Sequence, residues 1–273
     1  MKGDLLIIGG KEDKTGAKEI LQRFVEMAGG SKAVIGILTT ATQYPQELGE
    51  EYTELFHSLG CDKTILFHLN TREGAEQDSL TDQLQECTGI FITGGDQVRL
   101  TSILGGTLFY EQLRHRWGHE GMPIGGTSAG AAVMSCHMIM AATETENEYI
   151  VEMGAGFCFV EDVIIDQHFS QRARFGRLMT AIAHNPQVMG IGIDENTAIE
   201  VTDDGGCFTV WGEHSVTVFD GKKLDFVDTT NHGDNQNITL SGVRLHSLAA
   251  GYTFDLRNRE LITTFLEEEQ QHE

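Results

Sequence analysis

A glycine-rich segment at residues 125–131 has the spacing of a nucleophile elbow. Within it Gly126, Ser128 and Gly130 satisfy the pattern G-x-S-x-G, directly after the apolar run 122–124. A serine on a sharp strand-to-helix turn needs small neighbours, because its backbone is strained and the strand and helix pack closely there. The pattern predicts that Ser128 is a nucleophile for acyl transfer. The alternative is a glycine-rich turn whose serine has no chemical role.

A serine hydroxyl becomes a good nucleophile only when a base takes its proton, so a histidine is required. Among the eleven histidines, His168 directly follows the apolar run 163–165, in the sequence Asp166-Gln167-His168-Phe169. This position predicts the end of a strand, where active sites of α/β proteins lie. The other candidates are His137 and His184. The histidines among polar residues are expected at the surface: His57, His115, His119, His232 and His272.

An acidic side chain must orient the histidine, and two segments offer one. The apolar run 190–193 ends in Asp194 and Glu195, which we expect at the same edge of a parallel sheet as Ser128 and His168. The segment 143–146 contains Glu144 and is closer to the serine in sequence. We favour Glu195 and keep Glu144 as the alternative acid.

Two further segments predict groups that stabilise or bind a substrate. Gly95, in Gly94-Gly95-Asp96-Gln97, and Ala129, which follows Ser128, are predicted to direct backbone amides toward a developing oxyanion. No Gly-Lys-Ser/Thr follows, so a phosphate loop is disfavoured. A second group could grip a carboxylate of the substrate and is expected to begin a helix capped by Ser170: Arg172, Arg174 and Arg177.

The elements that must position these residues alternate along the first half of the chain. Apolar runs at 5–8, 33–38, 64–67, 89–93 and 123–125 predict buried strands, and residues 15–28, 45–59, 79–86 and 109–117 predict helices. This alternation favours a parallel sheet covered on both faces. After residue 197 short alternating runs predict antiparallel strands at 198–201, 207–211, 215–219, 238–240 and 243–247. We expect one domain over residues 1–273, with a last helix at 259–266.

Composition restricts the classes of partner. The formal net charge of −22 argues against nucleic acid, because phosphate binding needs clustered Lys and Arg. No apolar run is long enough for a signal-peptide core or a membrane span, so a cytoplasmic protein is expected. The five scattered cysteines form no C-x-x-C pair and are interpreted as thiols in a reducing compartment.

Together these motifs resemble the cyanophycinase branch of the serine peptidase family that also contains aspartyl dipeptidase. The similarity extends from residues 9–12 to about residue 220, and it rests on residues 94–97, 126–131, 166–169 with the three arginines, and 192–196. The resemblance implies a flavodoxin-like three-layer α/β sandwich related to class I glutamine amidotransferases. It also implies a Ser128–His168–Glu195 triad, an oxyanion hole at Gly95 and Ala129, and a substrate pocket formed by Gln97, Asp166, Gln167, Arg172, Arg174 and Arg177.

The implied substrate is cyanophycin, a poly-aspartate with arginine on each side-chain carboxyl, which is cleaved to β-Asp-Arg dipeptides. No cofactor or metal is required, and a homodimer is possible by the same resemblance. The alternatives are an aspartyl or isoaspartyl dipeptidase and a non-catalytic binding protein on the same scaffold. An α/β-hydrolase esterase has the chain order serine, acid, histidine and would therefore need Glu144 as its acid. The segment between Ser128 and His168 is too short for the units that this fold places there.

Overall fold

The chain folds around a large central sheet and a smaller second sheet, and the computed structural model describes residues 1–144, 149–229 and 238–263. The strands are β1 (Leu5–Ile8), β2 (Val34–Leu38), β3 (Lys63–Phe67), β4 (Gly89–Ile92), β5 (Ile124–Thr127), β6 (His137–Glu144), β7 (Tyr149–Ala155), β8 (Val163–Gln167), β9 (Met189–Ile193), β10 (Thr197–Thr202), β11 (Cys207–Gly212), β12 (Val216–Asp220), β13 (Phe226–Asp228), β14 (Thr239–Ser241), β15 (Arg244–Leu248), β16 (Thr253–Asp255) and β17 (Glu260–Ile262). The helices are α1 (Glu19–Met27), α2 (Pro45–Ser58), α3 (Ser79–Glu86), α4 (Gln97–Leu104), α5 (Leu108–Glu120), α6 (Ala129–Ala132) and α7 (Phe175–His184).

The central sheet has nine strands in the order β17-β16-β11-β10-β1-β5-β4-β2-β3. Strands β1 to β5 pair in parallel, and β10, β11, β16 and β17 extend the sheet in antiparallel fashion beyond β1. The predicted α/β class, with a parallel sheet extended by antiparallel strands from the C-terminal third, is confirmed. Ser128 follows β5 and Gly94 follows β4, so both motifs lie at the carboxyl ends of parallel strands.

The second sheet has the order β15-β12-β9-β8, and β8 and β9 pair in parallel. The expectation that His168 and Glu195 follow strands of the same sheet as Ser128 is therefore wrong. The physical reason is that β9 pairs with β12, whereas the next strand, β10, crosses to pair with β1. The two sheets converge where β1 ends, because the amides of His168 and Asn196 donate to the carbonyls of Gly9 and Gly10 at 2.8 and 2.9 Å.

Apolar side chains fill both faces of the central sheet. On one face α1 and α2 bury a cluster that includes Phe24, Phe56 and Phe91, whose rings lie 5.2–6.0 Å apart. The other face packs against α3, α4, α5 and the second sheet, and α7 covers the outer face of that second sheet. The layered arrangement places the carboxyl edge of the parallel strands beside the ends of β8 and β9.

Three local predictions are corrected. Helix α1 begins at Glu19 rather than at residue 15, because the Asp13 carboxylate accepts hydrogen bonds from the amides of Thr15, Gly16 and Lys18 in a preceding turn. The segment 260–262 is strand β17 rather than part of a helix, because it pairs with β16. The rest of that predicted helix, residues 264–266, lies outside the described residues.

The third correction concerns the cysteines. Cys136 and Cys158 form a disulfide, which contradicts the expectation of thiols throughout. Hydrogen bonds bring the two segments together, since the Gly156 amide donates to the Cys136 carbonyl at 3.0 Å. Cys61 and Cys87 are buried thiols, and burial raises the pKa of Cys87 to about 12.

Candidate active site

Ser128 occupies the turn between β5 and α6 with φ 53° and ψ −109°, a combination that L residues seldom adopt. Its amide donates to the Ile8 carbonyl at 3.0 Å, which fixes the turn to β1. The neighbouring glycines are required by packing: a Cβ on Gly126 would lie 2.6 Å from the Gly130 carbonyl oxygen, and one on Gly130 would clash with the Ile92 carbonyl. The strained, closely packed serine turn expected from the motif is present.

His168 joins the serine to a carboxylate. Its Nε2 lies 2.9 Å from Oγ of Ser128, and its Nδ1 lies 2.7 Å from Oε1 of Glu195. His168 as a whole is only 4% exposed and has φ 48°, so this turn too is left-handed at its functional residue. The three side chains form one continuous hydrogen-bonded chain that ends on the serine hydroxyl.

The surroundings favour a neutral imidazole beside an ionised carboxylate. Burial lowers the pKa of His168, and the positive charges of Arg172 and Arg174 lower it further, against the opposing effect of Glu195. Partial burial raises the pKa of Glu195, but hydrogen bonds from Lys11 and His168 outweigh it and hold that pKa below its usual value. A neutral His168 at neutral pH can accept the serine proton.

Lys11 is a member of the site that sequence analysis missed. Its Nζ lies 3.0 Å from the same Glu195 oxygen that His168 contacts. The preceding residue, Gly10, has φ 103°, and a Cβ there would lie 2.5 Å from Nε2 of His168. Position 10 therefore requires glycine. The sequence signal for Lys11 is the segment 9–12, which begins the family resemblance.

Glu12 is a second residue that was missed. It is 4% exposed, and its Oε2 accepts a hydrogen bond from the Thr127 hydroxyl at 2.6 Å. The Tyr52 hydroxyl donates to the other carboxylate oxygen. This buried carboxylate supports the residue that immediately precedes Ser128. Nothing local could have revealed it, because its partner Thr127 is 115 positions away.

The two carboxylates after β9 have different partners. Glu195 contacts His168, whereas Asp194 accepts hydrogen bonds from the Ser170 amide at 2.9 Å and the Ser215 hydroxyl at 3.0 Å. Asp194 therefore fixes the loop that follows His168. The Gln171 side chain adds a tie in the other direction, since its Oε1 accepts from the Glu195 amide at 3.0 Å.

The arginines divide into a half-buried pair, Arg174 and Arg177, and an exposed member, Arg172. Arg177 donates to both oxygens of the buried Asp166, and Arg174 donates to Oδ1 of Asp166 at 3.4 Å and to Oε1 of Gln167 at 2.7 Å. Burial, and then the charge of Arg177, lowers the pKa of Arg174 to about 10. Arg172 is exposed, and within the described ranges it has no ion-pair partner.

The prediction that Arg172, Arg174 and Arg177 begin a helix capped by Ser170 is wrong. Helix α7 begins at Phe175, and of the three arginines only Arg177 lies in it. The reason is that Ala173 has φ 49°, which a right-handed helix cannot include. Ser170 lies before the helix, whose N-cap position is Arg174, and its amide donates to Asp194.

Gln97 and Glu144 both belong to the surroundings of the β6–β7 hairpin. Nε2 of Gln97 donates to the carbonyls of Ile139 and Met140 at 3.1 and 3.2 Å, at the point where the pairing register of β6 shifts. Glu144 is the last residue of β6, and its side chain lies outside what the structure describes.

The two predicted oxyanion donors lie on either side of the serine turn. Ala129 begins α6, and Gly95 has φ 145° in the turn after β4, where a Cβ would clash with the Ala41 carbonyl. A Cβ on the adjacent Gly94 would lie 3.4 Å from Cβ of Ser128, so this turn is a neighbour of the nucleophile.

Neither a metal cluster nor a membrane-spanning helix occurs in the part of the chain that the structure describes. No group of three or more His, Cys, Asp or Glu side chains there is placed to hold a metal ion. No described helix combines the length and the apolar character needed to cross a bilayer.

The family is decided by comparison with known sequences. Residues 5–207, which include Ser128, His168 and Glu195, match the sequence profile of peptidase family S51. The chain belongs to peptidase family S51.

Two proteins named cyanophycinase align with this chain over most of their length. The protein of Trichormus variabilis (strain ATCC 29413 / PCC 7937) is 40% identical over 96% of this chain and 88% of its own. That of Geminocystis herdmanii (strain PCC 6308) is 36% identical over 98% of both chains.

Solved structures support the S51 fold. A peptidase from an acI-B1 Actinobacterium matches with a TM-score of 0.68 at 22% identity, over 93% of this chain and 97% of that one. A putative peptidase E protein from Listeria monocytogenes EGD-e matches with a TM-score of 0.55 at 16% identity, over 78% of this chain and 100% of that one. At these identities the likeness shows the fold alone.

Proposed function

We propose that this S51 peptidase is a serine exopeptidase that hydrolyses cyanophycin, multi-L-arginyl-poly-L-aspartate, to β-Asp-Arg dipeptides. The observation that carries the proposal is the continuous hydrogen-bond chain from Ser128 through His168 to Glu195. The substrate is inferred from the curated relatives, which are named cyanophycinases and are similar along nearly the whole chain.

In the proposed reaction His168 acts as general base. Its Nε2 takes the proton of the Ser128 hydroxyl as Oγ attacks the carbonyl carbon of a backbone amide between aspartyl units. Glu195 accepts from Nδ1, which fixes the tautomer with a bare Nε2 and stabilises the imidazolium that forms. Lys11 holds the Glu195 carboxylate in its ionised form.

The amides of Gly95 and Ala129 stabilise the negative oxygen of the tetrahedral intermediate. Two features support this role: the Gly94–Gly95 turn neighbours Ser128, and Ala129 is the first residue of α6. The imidazolium of His168 then gives its proton to the leaving amine as the C–N bond breaks. A water molecule, deprotonated by the same imidazole, hydrolyses the acyl-enzyme and releases the second product.

The remaining proposed pocket residues suit a substrate that carries both charges. Arg172 is the exposed guanidinium and is free to pair with a free carboxylate of the polymer. Arg174 and Arg177 position that wall through Asp166 and Gln167. Gln97 contributes its side-chain amide to the same pocket, and this amide also donates to the Ile139 carbonyl of the β6–β7 hairpin.

Digestion of the polymer tests the proposal. Purified wild type and Ser128→Ala are incubated with insoluble cyanophycin, and soluble products are read by mass spectrometry. We expect β-Asp-Arg from the wild type and none from the variant. Absence of any product from the wild type would refute the substrate, and equal product from Ser128→Ala would refute the nucleophile.

A further inference from the structure

A cleft of about 390 Å³ lies at the Gly94–Gly95 turn, which adjoins the nucleophile. Its walls are residues 41–44, which lead into α2, and Gly95, Asp96 and Arg99 at the start of α4. The volume is within the range of about 300–1,000 Å³ that is typical of ligand pockets. Since Gly95 lines the cleft and the adjacent Gly94 neighbours Ser128, a substrate group in the cleft would lie near the carbonyl that the serine attacks.

The cleft presents a carboxylate. Asp96 is exposed, and its Oδ1 caps α4 by accepting from the amides of Val98 and Arg99 at 2.8 and 3.2 Å. Within the described ranges its Oδ2 accepts no hydrogen bond, and the carboxylate has no ion-pair partner. The second oxygen therefore offers a negative site to a cation in the cleft.

The cleft also presents a guanidinium and an aromatic ring. Arg99 is held by the Thr40 carbonyl at 2.8 Å and by Oδ1 of Asn70 at 3.2 Å, but no described carboxylate lies within ion-pair distance of it. Tyr44 is 67% exposed, and its ring stacks on no other described ring. Guanidinium groups bind the faces of exposed aromatic rings.

We infer that this cleft is a subsite for one arginyl branch of the substrate, adjacent to the cleaved bond. An arginyl branch carries a guanidinium and a free α-carboxylate at opposite ends. The guanidinium stacks on Tyr44 and pairs with Oδ2 of Asp96, and the α-carboxylate pairs with Arg99. This assignment rests on the proposed function, and it adds a site distinct from the pocket around Arg172.

Binding to an inactive protein tests the subsite independently of turnover. A trimer of β-Asp-Arg units is titrated calorimetrically into Ser128→Ala and into Ser128→Ala/Asp96→Asn. Asparagine caps a helix as well as aspartate does, so the second change removes the charge and keeps α4 intact. We expect Asp96→Asn to weaken binding about tenfold, as for the loss of a charge-assisted hydrogen bond.

Matched peptides locate the effect. One arginine of the trimer at a time is replaced by citrulline, its neutral isostere. The loss of affinity caused by Asp96→Asn should disappear for only one of the three citrulline positions. Tyr44→Ala should weaken binding about three- to tenfold, whereas Tyr252→Ala, an exposed tyrosine outside the cleft, should not. Arg99→Gln should weaken binding to the native trimer, with the exposed Arg72→Gln as its control.

The outcomes separate the two proposals. If wild type releases no β-Asp-Arg from the polymer, the proposed function fails whatever the binding shows. If the trimer does not bind Ser128→Ala, or binds the Asp96→Asn form equally well, the subsite is overturned even when the wild type digests the polymer.

Discussion

The turns that carry Ser128 and His168 are both left-handed at the functional residue, but they are held in different ways. The Ser128 turn is fixed by close backbone packing, since Gly126 approaches the Gly130 carbonyl and Gly130 approaches the Ile92 carbonyl. Its geometry depends on the absence of side-chain atoms. The turn is therefore all-or-none: one added methyl group must displace the backbone.

The His168 turn depends on the presence of particular polar side chains. Asp194 accepts from the Ser170 amide, and Gln171 accepts from the Glu195 amide, so two side chains join the segment after His168 to the loop after β9. Loss of one such contact leaves the others in place. The nucleophile should therefore be intolerant of small changes nearby, whereas the base should lose its position in steps.

The largest expected effect concerns the acid that completes the second turn. Glu195→Gln should lower kcat about 10⁴-fold, because a neutral amide fixes the wrong tautomer of His168 and cannot stabilise the imidazolium. Glu144→Gln is the matched control and should leave kcat nearly unchanged. Steady-state kinetics on cyanophycin decide between them, and the reverse ranking would make Glu144 the acid.

Breaking the first turn should have the next largest effect. Gly130→Ala should lower the free energy of unfolding by about 1–3 kcal/mol through overpacking, and lower kcat about 100-fold by moving Ser128. Gly118→Ala is the matched control: it lies in α5 with open space around it and should gain about 0.5–1 kcal/mol. Urea unfolding monitored by circular dichroism gives the free energy of unfolding of both variants, and steady-state kinetics give kcat. An unperturbed Gly130→Ala would contradict the packing argument.

A graded loss is expected when one fastening of the second turn is removed. Asp194→Asn replaces an accepting oxygen with an amide that faces a donor, so it should cost about 1–2 kcal/mol of stability and lower kcat about tenfold. Asp255→Asn, whose carboxylate accepts the amides of Arg257 and Asn258 in a turn outside the site, should leave kcat unchanged. A complete loss of activity in folded Asp194→Asn would show that this turn is all-or-none as well.

The smallest expected effect is a shift in pH dependence. The active form has neutral His168, so kcat/KM falls as pH drops through the pKa of His168, which lies below its ordinary value. The charge of Arg172 contributes to that lowering, so Arg172→Gln should raise the pKa and move the acid limb to higher pH. Arg72→Gln should leave the limb in place. The position of the limb, rather than the size of kcat/KM, is the readout, because Arg172 is also a proposed substrate contact.

Much of the parallel half of the fold follows from local sequence. The five predicted strands of the parallel sheet occur within two residues of their predicted bounds, and the apolar spacing of α1 places Ile20, Leu21, Phe24 and Val25 in the core. Ser128 could be predicted as the nucleophile because glycines at fixed spacing indicate close backbone packing. The single domain, the homodimer and the cytoplasmic location stay predictions.

The features that were missed depend on contacts between distant parts of the chain. An apolar run such as 163–165 has the same pattern in either sheet, so the second sheet could not be recognised. Lys11 and Glu12 acquire their roles from Glu195 and Thr127, which only the fold brings near. The left-handed Ala173, which delays α7, has no signal because alanine does not favour that conformation.

The ends of both functional turns are fastened to one strand. The Ser128 amide donates to the Ile8 carbonyl and the His168 amide donates to the Gly9 carbonyl, so the nucleophile and the base share adjacent attachment points. The end of β1 is thus a shared attachment point for both residues. When the two sheets move relative to each other, both residues should move with the end of β1. We therefore expect the distance between Oγ and Nε2 to vary less than the spacing of the two sheets.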